Sequence, residues 1–128
     1  MKYLLDTHTA LWWVNEHEKL SATAKAALRD DAHSLRISIV SAWEIAIKIS
    51  LGKLPKLNGG ICAFLAKLEN MPVTLLSVAA RHVAMVESLP FIHRDPFDRL
   101  LVATAKADGM TILTADENIR KYDVLSAW

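Results

Sequence analysis

Four acidic residues stand where a predicted strand ends or a predicted helix begins: Asp6, Glu44, Asp98 and Asp116. Asp6 directly follows the apolar stretch KYLL, and Asp116 follows MTILT by two residues. Ligands of open α/β sheets bind outside the carboxyl ends of the strands, so these carboxylates are predicted to meet at one sheet edge. Carboxylates that meet raise each other's pKa unless a cation neutralises them. The pattern therefore indicates a cation site.

The ligand atoms indicate which cation the site binds. The five histidines do not have the spacing of a zinc site, and carboxylates favour a hard divalent ion, Mg²⁺ or, as a substitute, Mn²⁺. Such ions keep several waters and bind phosphates. The chemistry that these acids predict is therefore hydrolysis of a phosphodiester by a metal-activated water.

Each acid also has a structural explanation. Ser41–Glu44 and Thr114–Glu117 match the capping box, in which the acid bonds back to the first amide of a helix. Glu44 also precedes Lys48 by four residues, which is the favourable order for a helix ion pair. Asp6 is the hardest acid to explain structurally, because an aspartate that closes a buried strand is unfavourable there.

The stretch HRDPFDR, residues 93–99, holds two acids with different expected roles. Asp95 precedes Pro96, which is a strong signal for a helix N-cap followed by proline at the first helical position. Asp98 then falls in the first helical turn, where the helix dipole favours any acid. Asp95 is predicted to cap the helix, and Asp98 is predicted to bind the metal.

Alternating apolar segments predict the elements that position these acids. Strands are predicted at KYLL, LRISIV, PVTLLS, MTILT and DVL, and helices at HTALWWVNEH, SATAKAALRD, SAWEIAIKIS, residues 61–69, AARHVAMVES, FDRLLVATAKA and TADENIRKY. Strands that alternate with helices imply a parallel sheet covered on both faces. The fold class is therefore α/β, with a mainly parallel, twisted sheet flanked by helices.

Composition limits the remaining possibilities. The 128 residues predict a single domain, 1–128, and the net charge of +1 disfavours a protein that coats DNA by charge alone. The single Cys62 excludes an internal disulfide and is predicted to be a small core residue. The apolar run in the opening stretch MKYLLD is too short for a signal-peptide core, and we find no run long enough to span a membrane, so we expect a cytoplasmic protein.

Four stretches in order resemble the PIN-domain nucleases, and most closely the VapC-type toxins of bacterial toxin–antitoxin pairs: DTHTALWW, SAWEIAIK, HRDPFDRLLVATA and ILTADENIRKYDV. The resemblance covers nearly the whole chain and implies a PIN-like three-layer fold. It also implies a Mg²⁺-dependent endoribonuclease that acts on RNA, forms a homodimer and is inhibited by a small cognate antitoxin.

The resemblance assigns roles to residues at the matching positions. Asp6 and Asp98 are expected to be the principal metal ligands, with Glu44 and Asp116 completing the catalytic acidic pocket. The hydroxyls of Thr7 and Thr114 are expected to orient the carboxylates. Five basic residues are candidates for an RNA path, of which only a subset is expected to matter: Arg36, Lys48, Arg94, Arg99 and Lys106.

Other functions fit the residues less well. A phosphatase of the haloacid-dehalogenase type needs a second aspartate two residues after the first, and His8 stands at that position. The non-enzymatic alternative is a catalytically silent PIN-like module that binds RNA or protein, which the presence of all four acids disfavours. His8, His93, Trp12, Trp13 and Trp43 are left with surface, core or substrate-contact roles.

Overall fold

A computed structural model of the chain describes residues 1–55 and 57–128. Strands and helices alternate through this part of the chain, in the order β1 (Lys2–Leu5), α1 (Thr7–Asn15), a short 3₁₀ helix (His17–Lys19), α2 (Ala22–Arg29), β2 (Ser34–Ser38), α3 (Ile39–Ser50), α4 (Gly60–Glu69), β3 (Thr74–Leu76), α5 (Ala80–Ser88), α6 (Pro96–Asp108), β4 (Thr111–Leu113), α7 (Glu117–Arg120) and β5 (Ser126–Ala127).

The sheet has β1 at its centre. The strand order is β3-β2-β1-β4-β5, and every neighbouring pair is parallel. Leu5 at the end of β1 pairs with Ile37 of β2 and with Leu113 of β4. Because these strands end at the same level, the residues that follow them meet at one sheet edge.

Helices cover both faces of the sheet. Leu5 packs into a core that includes residues of α1, α2 and α4, whereas its neighbour Leu4 packs into a second core with residues of α6. Successive strand residues point to opposite faces, so β1 contributes apolar side chains to both cores. The prediction of an α/β fold with a parallel sheet flanked by helices on both faces is therefore confirmed.

The start of α3 differs from its predicted position. The β-branched pair Ile39–Val40 was predicted as strand, but both residues belong to the helix, whose N-cap is Ser38. The Ser38 hydroxyl oxygen accepts from the Val40 amide at 3.1 Å, which overrides the weaker strand preference of the pair. Ser41 therefore lies inside the helix, and the predicted Ser41–Glu44 capping box was wrong.

Two further local predictions were wrong. The last strand is Ser126–Ala127 rather than DVL. It is placed there because the amides of Ile112 and Thr114 donate to the carbonyls of Leu125 and Ala127. Cys62 is exposed on α4 instead of buried in the core.

No helix in the described ranges is long and apolar enough to cross a membrane.

Replacing Ser38 with alanine is expected to lower the free energy of unfolding by about 1 kcal/mol, because the first turn of α3 loses its cap. The matched control is Ser50→Ala at the exposed end of the same helix, which should stay within about 0.5 kcal/mol of wild type. Urea unfolding followed by circular dichroism measures both variants. Equal stabilities of the two variants would contradict the assignment of the cap.

Candidate functional site

Asp6 combines a structural contact with a place at the sheet edge. Its Oδ1 accepts from the amide of Thr9 at 2.8 Å, so the residue that closes β1 is also the N-cap of α1. Its Oδ2 accepts a short hydrogen bond from the Thr114 hydroxyl. Burial raises the pKa of Asp6, and the hydrogen bonds from Thr114 and Thr9 oppose that rise without cancelling it.

Thr114 and Asp116 follow β4 and extend the same edge. While it donates to Asp6, the Thr114 hydroxyl oxygen also accepts from the Asp116 amide at 2.9 Å, so one threonine links the two acids. Asp116 is itself the N-cap of α7, since its Oδ1 accepts from the Asn118 amide at 2.8 Å. The predicted capping box from Thr114 to Glu117 was therefore wrong, because the helix starts two residues later.

Glu44 enters the site from the second turn of α3, not from the first turn as predicted. It is 5% exposed, and its Oε1 accepts from the Thr7 hydroxyl at 2.7 Å. Its Oε2 lies 3.0 Å from the Lys48 Nζ, which is the ion pair that the four-residue spacing predicted. The Thr7 hydroxyl also lies 3.0 Å from the Ser41 Oγ, so the end of β1 and the start of α3 are joined through polar side chains.

Asp98 stands in the first turn of α6 and is oriented by Asp95. The Oδ1 of Asp95 accepts from the amide of Phe97 at 2.8 Å and from that of Asp98 at 3.3 Å, which is the predicted cap. Burial raises the pKa of Asp98 to about 7, with further contributions from its negative neighbours Asp95, Glu44, Asp116 and Asp6. The charges of the other three predicted acids therefore act on Asp98.

His93 is a neighbour of these acids that sequence reasoning did not select. Its Nε2 lies 3.1 Å from the Oδ2 of Asp98, and the ring is about three-quarters buried. One potential ligand atom from each of His93, Asp98 and Asp116 lies within 4.8 Å of the other two. The only sequence signal was its position five residues before Asp98, in a loop that has no regular spacing.

The side chains at this edge fit a divalent cation. Carboxylate oxygens and an imidazole nitrogen are ordinary ligands of divalent metals, and a positive ion would offset the burial and the negative neighbours that raise the pKa of Asp98. The close set in the described part of the chain contains Asp98 and Asp116. Asp6 and Glu44 stand beside it, with their oxygens engaged by Thr9, Thr114, Thr7 and Lys48.

Two of the basic candidates have other partners. Arg99 is 9% exposed, and its guanidinium donates to the carbonyl of Pro90 and the hydroxyl of Tyr122, so the expectation that it lines an RNA path was wrong. Lys48 is paired with Glu44 inside the site. The burial of Arg99 was not expected from the sequence, because arginines are seldom buried without a carboxylate partner.

The tryptophans divide between core and surface. Trp13 is buried in the core on the α1 side, whereas Trp12 is half-buried and contacts His8 and Trp128. Trp43 is 60% exposed, and its ring meets the edge of Phe97 with 5.0 Å between centroids. An open cleft beside the acids is lined by Asp6, His8, Trp12, Ala115 and Asp116.

Comparisons with known proteins give a consistent result. The family model described as PIN domain matches residues 3–125. Ribonuclease VapC22 of Mycobacterium tuberculosis is 34% identical over 122 residues, covering 93% of this chain and 90% of that protein.

The solved structures that resemble the chain share its fold at low sequence identity. VapBC2 from Rickettsia felis, bound to a DNA fragment from its promoter, has a TM-score of 0.75 at 16% identity and covers 99% of this chain and 98% of that one. A toxin–antitoxin complex from Klebsiella pneumoniae has a TM-score of 0.62 at 13% identity, covering 98% and 96%.

The raised pKa of Asp98 predicts a pH-dependent stability in metal-free buffer. A carboxyl whose pKa is raised from 3.8 to about 7 on folding stabilises the fold at low pH, and this contribution is lost as the pH rises through 7. Asp98→Asn removes the titration, so the variant is expected to exceed wild type by about 1–2 kcal/mol at pH 8, after allowance for solvent screening, and not at pH 4.

Denaturant unfolding in EDTA between pH 4 and pH 8 measures this difference. The expected result is a gap between the two proteins that widens as the pH rises. Stability curves of the two proteins that stay parallel across this pH range would show that folding does not raise the pKa of Asp98.

Proposed function

Because this chain belongs to the PIN domain family, we propose that it is a divalent-metal-dependent endoribonuclease and the toxin of a toxin–antitoxin pair. The observation that carries the proposal is the cluster of acids at the sheet edge, where potential ligand atoms of Asp98 and Asp116 lie within 4.8 Å of each other. Burial and four negative neighbours keep the Asp98 pKa at about 7, an arrangement that a bound cation would relieve.

The four acids have different proposed roles in binding the metal. The sequence led us to expect Asp6 and Asp98 as the principal ligands, and we now propose Asp98 and Asp116 as the direct carboxylate ligands, since both lie in the close set of ligand atoms. Asp6 and Glu44 complete the acidic pocket, with Thr114 and Thr7 fixing the orientation of their carboxylates. A divalent ion of this kind, Mg²⁺ or Mn²⁺, when bound supplies activation of a water nucleophile and offsets negative charge at the scissile phosphate.

RNA is the proposed substrate. The support for it is the 34% identity to a protein named a ribonuclease, together with acids that suit metal-assisted attack on a phosphodiester. A catalytically silent module would have no need of carboxylates that repel one another, so this alternative is less favoured. Since the substrate is RNA, we also expect the protein in the cytoplasm.

A small antitoxin and a second copy of the chain are the proposed protein partners. The fold is shared with proteins solved as toxin–antitoxin complexes, and the sequence motifs resemble those of VapC-type toxins. Several large apolar side chains are exposed and available for such contacts, among them Trp43 at 60% and Phe91 at 76%.

Asp98→Asn is expected to reduce cleavage of total cellular RNA at least about a hundredfold in Mg²⁺, because the site loses one of its two closest carboxylates. The matched control is Asp95→Asn in the same stretch. Asparagine keeps the oxygen that caps α6, so this variant should remain folded and retain most of the activity. Gel analysis of the RNA, with mapping of the cut ends, measures both.

Two results would contradict the proposal. One is cleavage by Asp98→Asn at the wild-type rate, and the other is cleavage by wild type that persists in EDTA. Asp6→Asn provides a second variant, and circular dichroism establishes that each protein is folded. Binding of Mg²⁺ without cleavage of any RNA would favour the binding module instead.

The antitoxin is tested separately from the chemistry. Expression of the chain alone is expected to arrest growth, and co-expression of a short open reading frame immediately upstream of its gene should restore it. The Asp98→Asn protein, which should not arrest growth, serves as the control. Growth that is unaffected by the active chain would argue against a toxin while leaving the nuclease activity intact.

A further inference from the structure

We propose that His93 is a direct nitrogen ligand of the metal site, so that the site binds its cation through mixed nitrogen and oxygen ligands rather than through carboxylates alone. This inference rests on the proposed metal-dependent function and adds a residue that the sequence motifs do not assign. It also changes the expected metal preference of the site.

The geometry around His93 is that of a ligand. The Nε2 of the ring lies 3.1 Å from the Oδ2 of Asp98, and an oxygen of Asp116 lies within 4.8 Å of both partners. Adjacent ligands of one octahedral ion with metal–ligand bonds of 2.0–2.1 Å are about 3 Å apart. The ring therefore stands where it shares a cation with Asp98.

The loop that carries His93 is held from two sides. The amide of His93 donates to the Tyr122 hydroxyl at 2.9 Å, and the same hydroxyl lies 3.1 Å from the Nη1 of Arg99. The Nη1 of Arg99 also donates to the carbonyl of Pro90 at 3.0 Å, and its guanidinium lies 4.8 Å from the centre of the Phe91 ring.

These contacts make a buried clamp. Arg99 and Tyr122 are 9% and 4% exposed, and together they fix both ends of the segment from Pro90 to His93. A ligand on a rigid support loses little conformational freedom when it binds a metal, which favours binding. The clamp also accounts for a buried arginine that has no carboxylate partner among its described contacts.

A nitrogen ligand changes the selectivity of the site. Imidazole suits transition-metal ions, whereas Mg²⁺ prefers a shell of oxygens and retains its waters. With His93 as a ligand, the site should therefore discriminate against Mg²⁺ and in favour of transition-metal divalent ions. Replacing His93 should remove that discrimination while leaving the carboxylates in place.

The test uses Mn²⁺ as a paramagnetic probe on the purified full-length chain. Electron spin echo envelope modulation detects coupling between bound Mn²⁺ and a coordinated imidazole nitrogen. We expect this coupling in wild type and its loss in His93→Gln. Glutamine can still hydrogen-bond to Asp98. The variant therefore removes the imidazole nitrogen but keeps a hydrogen bond that can orient the Asp98 carboxylate.

Mn²⁺ affinity, measured by titration calorimetry, provides a second readout. His93→Gln is expected to weaken Mn²⁺ binding about tenfold, with a clearly smaller effect on Mg²⁺. The matched control is His17→Gln, which removes an exposed histidine of the 3₁₀ helix. Because His17 is exposed and outside the close set of His93, Asp98 and Asp116, this control should keep both the nitrogen coupling and the affinity of wild type.

The outcomes separate this inference from the proposed function. Bound Mn²⁺ without nitrogen coupling in wild type, or coupling that survives in His93→Gln, would overturn the role of His93 even if the protein cleaves RNA. Nitrogen coupling that depends on His93, in a protein that cleaves no RNA, would support His93 as a metal ligand and contradict the proposed nuclease activity. Failure of wild type to bind Mn²⁺ would overturn both.

Discussion

The burial of several carboxylates at one sheet edge is the constraint on which the rest of the structure depends. The central position of β1 places Asp6 between the ends of β2 and β4; Glu44 and Asp98 come from α3 and α6, and Asp116 precedes α7. Burial and the negative neighbours disfavour the charged form of Asp98, as its raised pKa indicates. The fold tolerates them because both faces of the sheet are covered by apolar cores.

Capping a helix and serving a metal site are compatible tasks for one carboxylate. Asp6 and Asp116 each use Oδ1 to cap a helix, and the positive end of the helix dipole favours their charge. The other oxygen of Asp6 is directed by Thr114, which also accepts from the Asp116 amide. In HRDPFDR the tasks are divided, since Asp95 caps α6 and Asp98 faces the other acids.

The 90s loop depends on groups that are distant in sequence. Tyr122 follows α7, yet its hydroxyl joins the amide of His93 to the guanidinium of Arg99. Arg99 is satisfied by carbonyl and hydroxyl oxygens and by an aromatic face instead of an acid. Burying an arginine is unfavourable unless its donors are satisfied, so its contacts hold the loop firmly against α6.

The sequence by itself determined the alternation of strands and helices, the cap at Asp95, the ion pair of Glu44 with Lys48, and the positions of Asp6, Asp98 and Asp116 at the ends of elements. These features follow from apolar periodicity and from contacts within a few residues. Only the tertiary structure decided that α3 begins after Ser38, that Arg99 is buried, and that His93 joins Asp98 and Asp116. The start of α3 depends on the Ser38 cap, which outweighs the strand preference of Ile39–Val40. The other two outcomes depend on hydrogen bonds between segments far apart in the chain, such as those of His93 and Arg99 with Tyr122, and local patterns carry no information about such contacts.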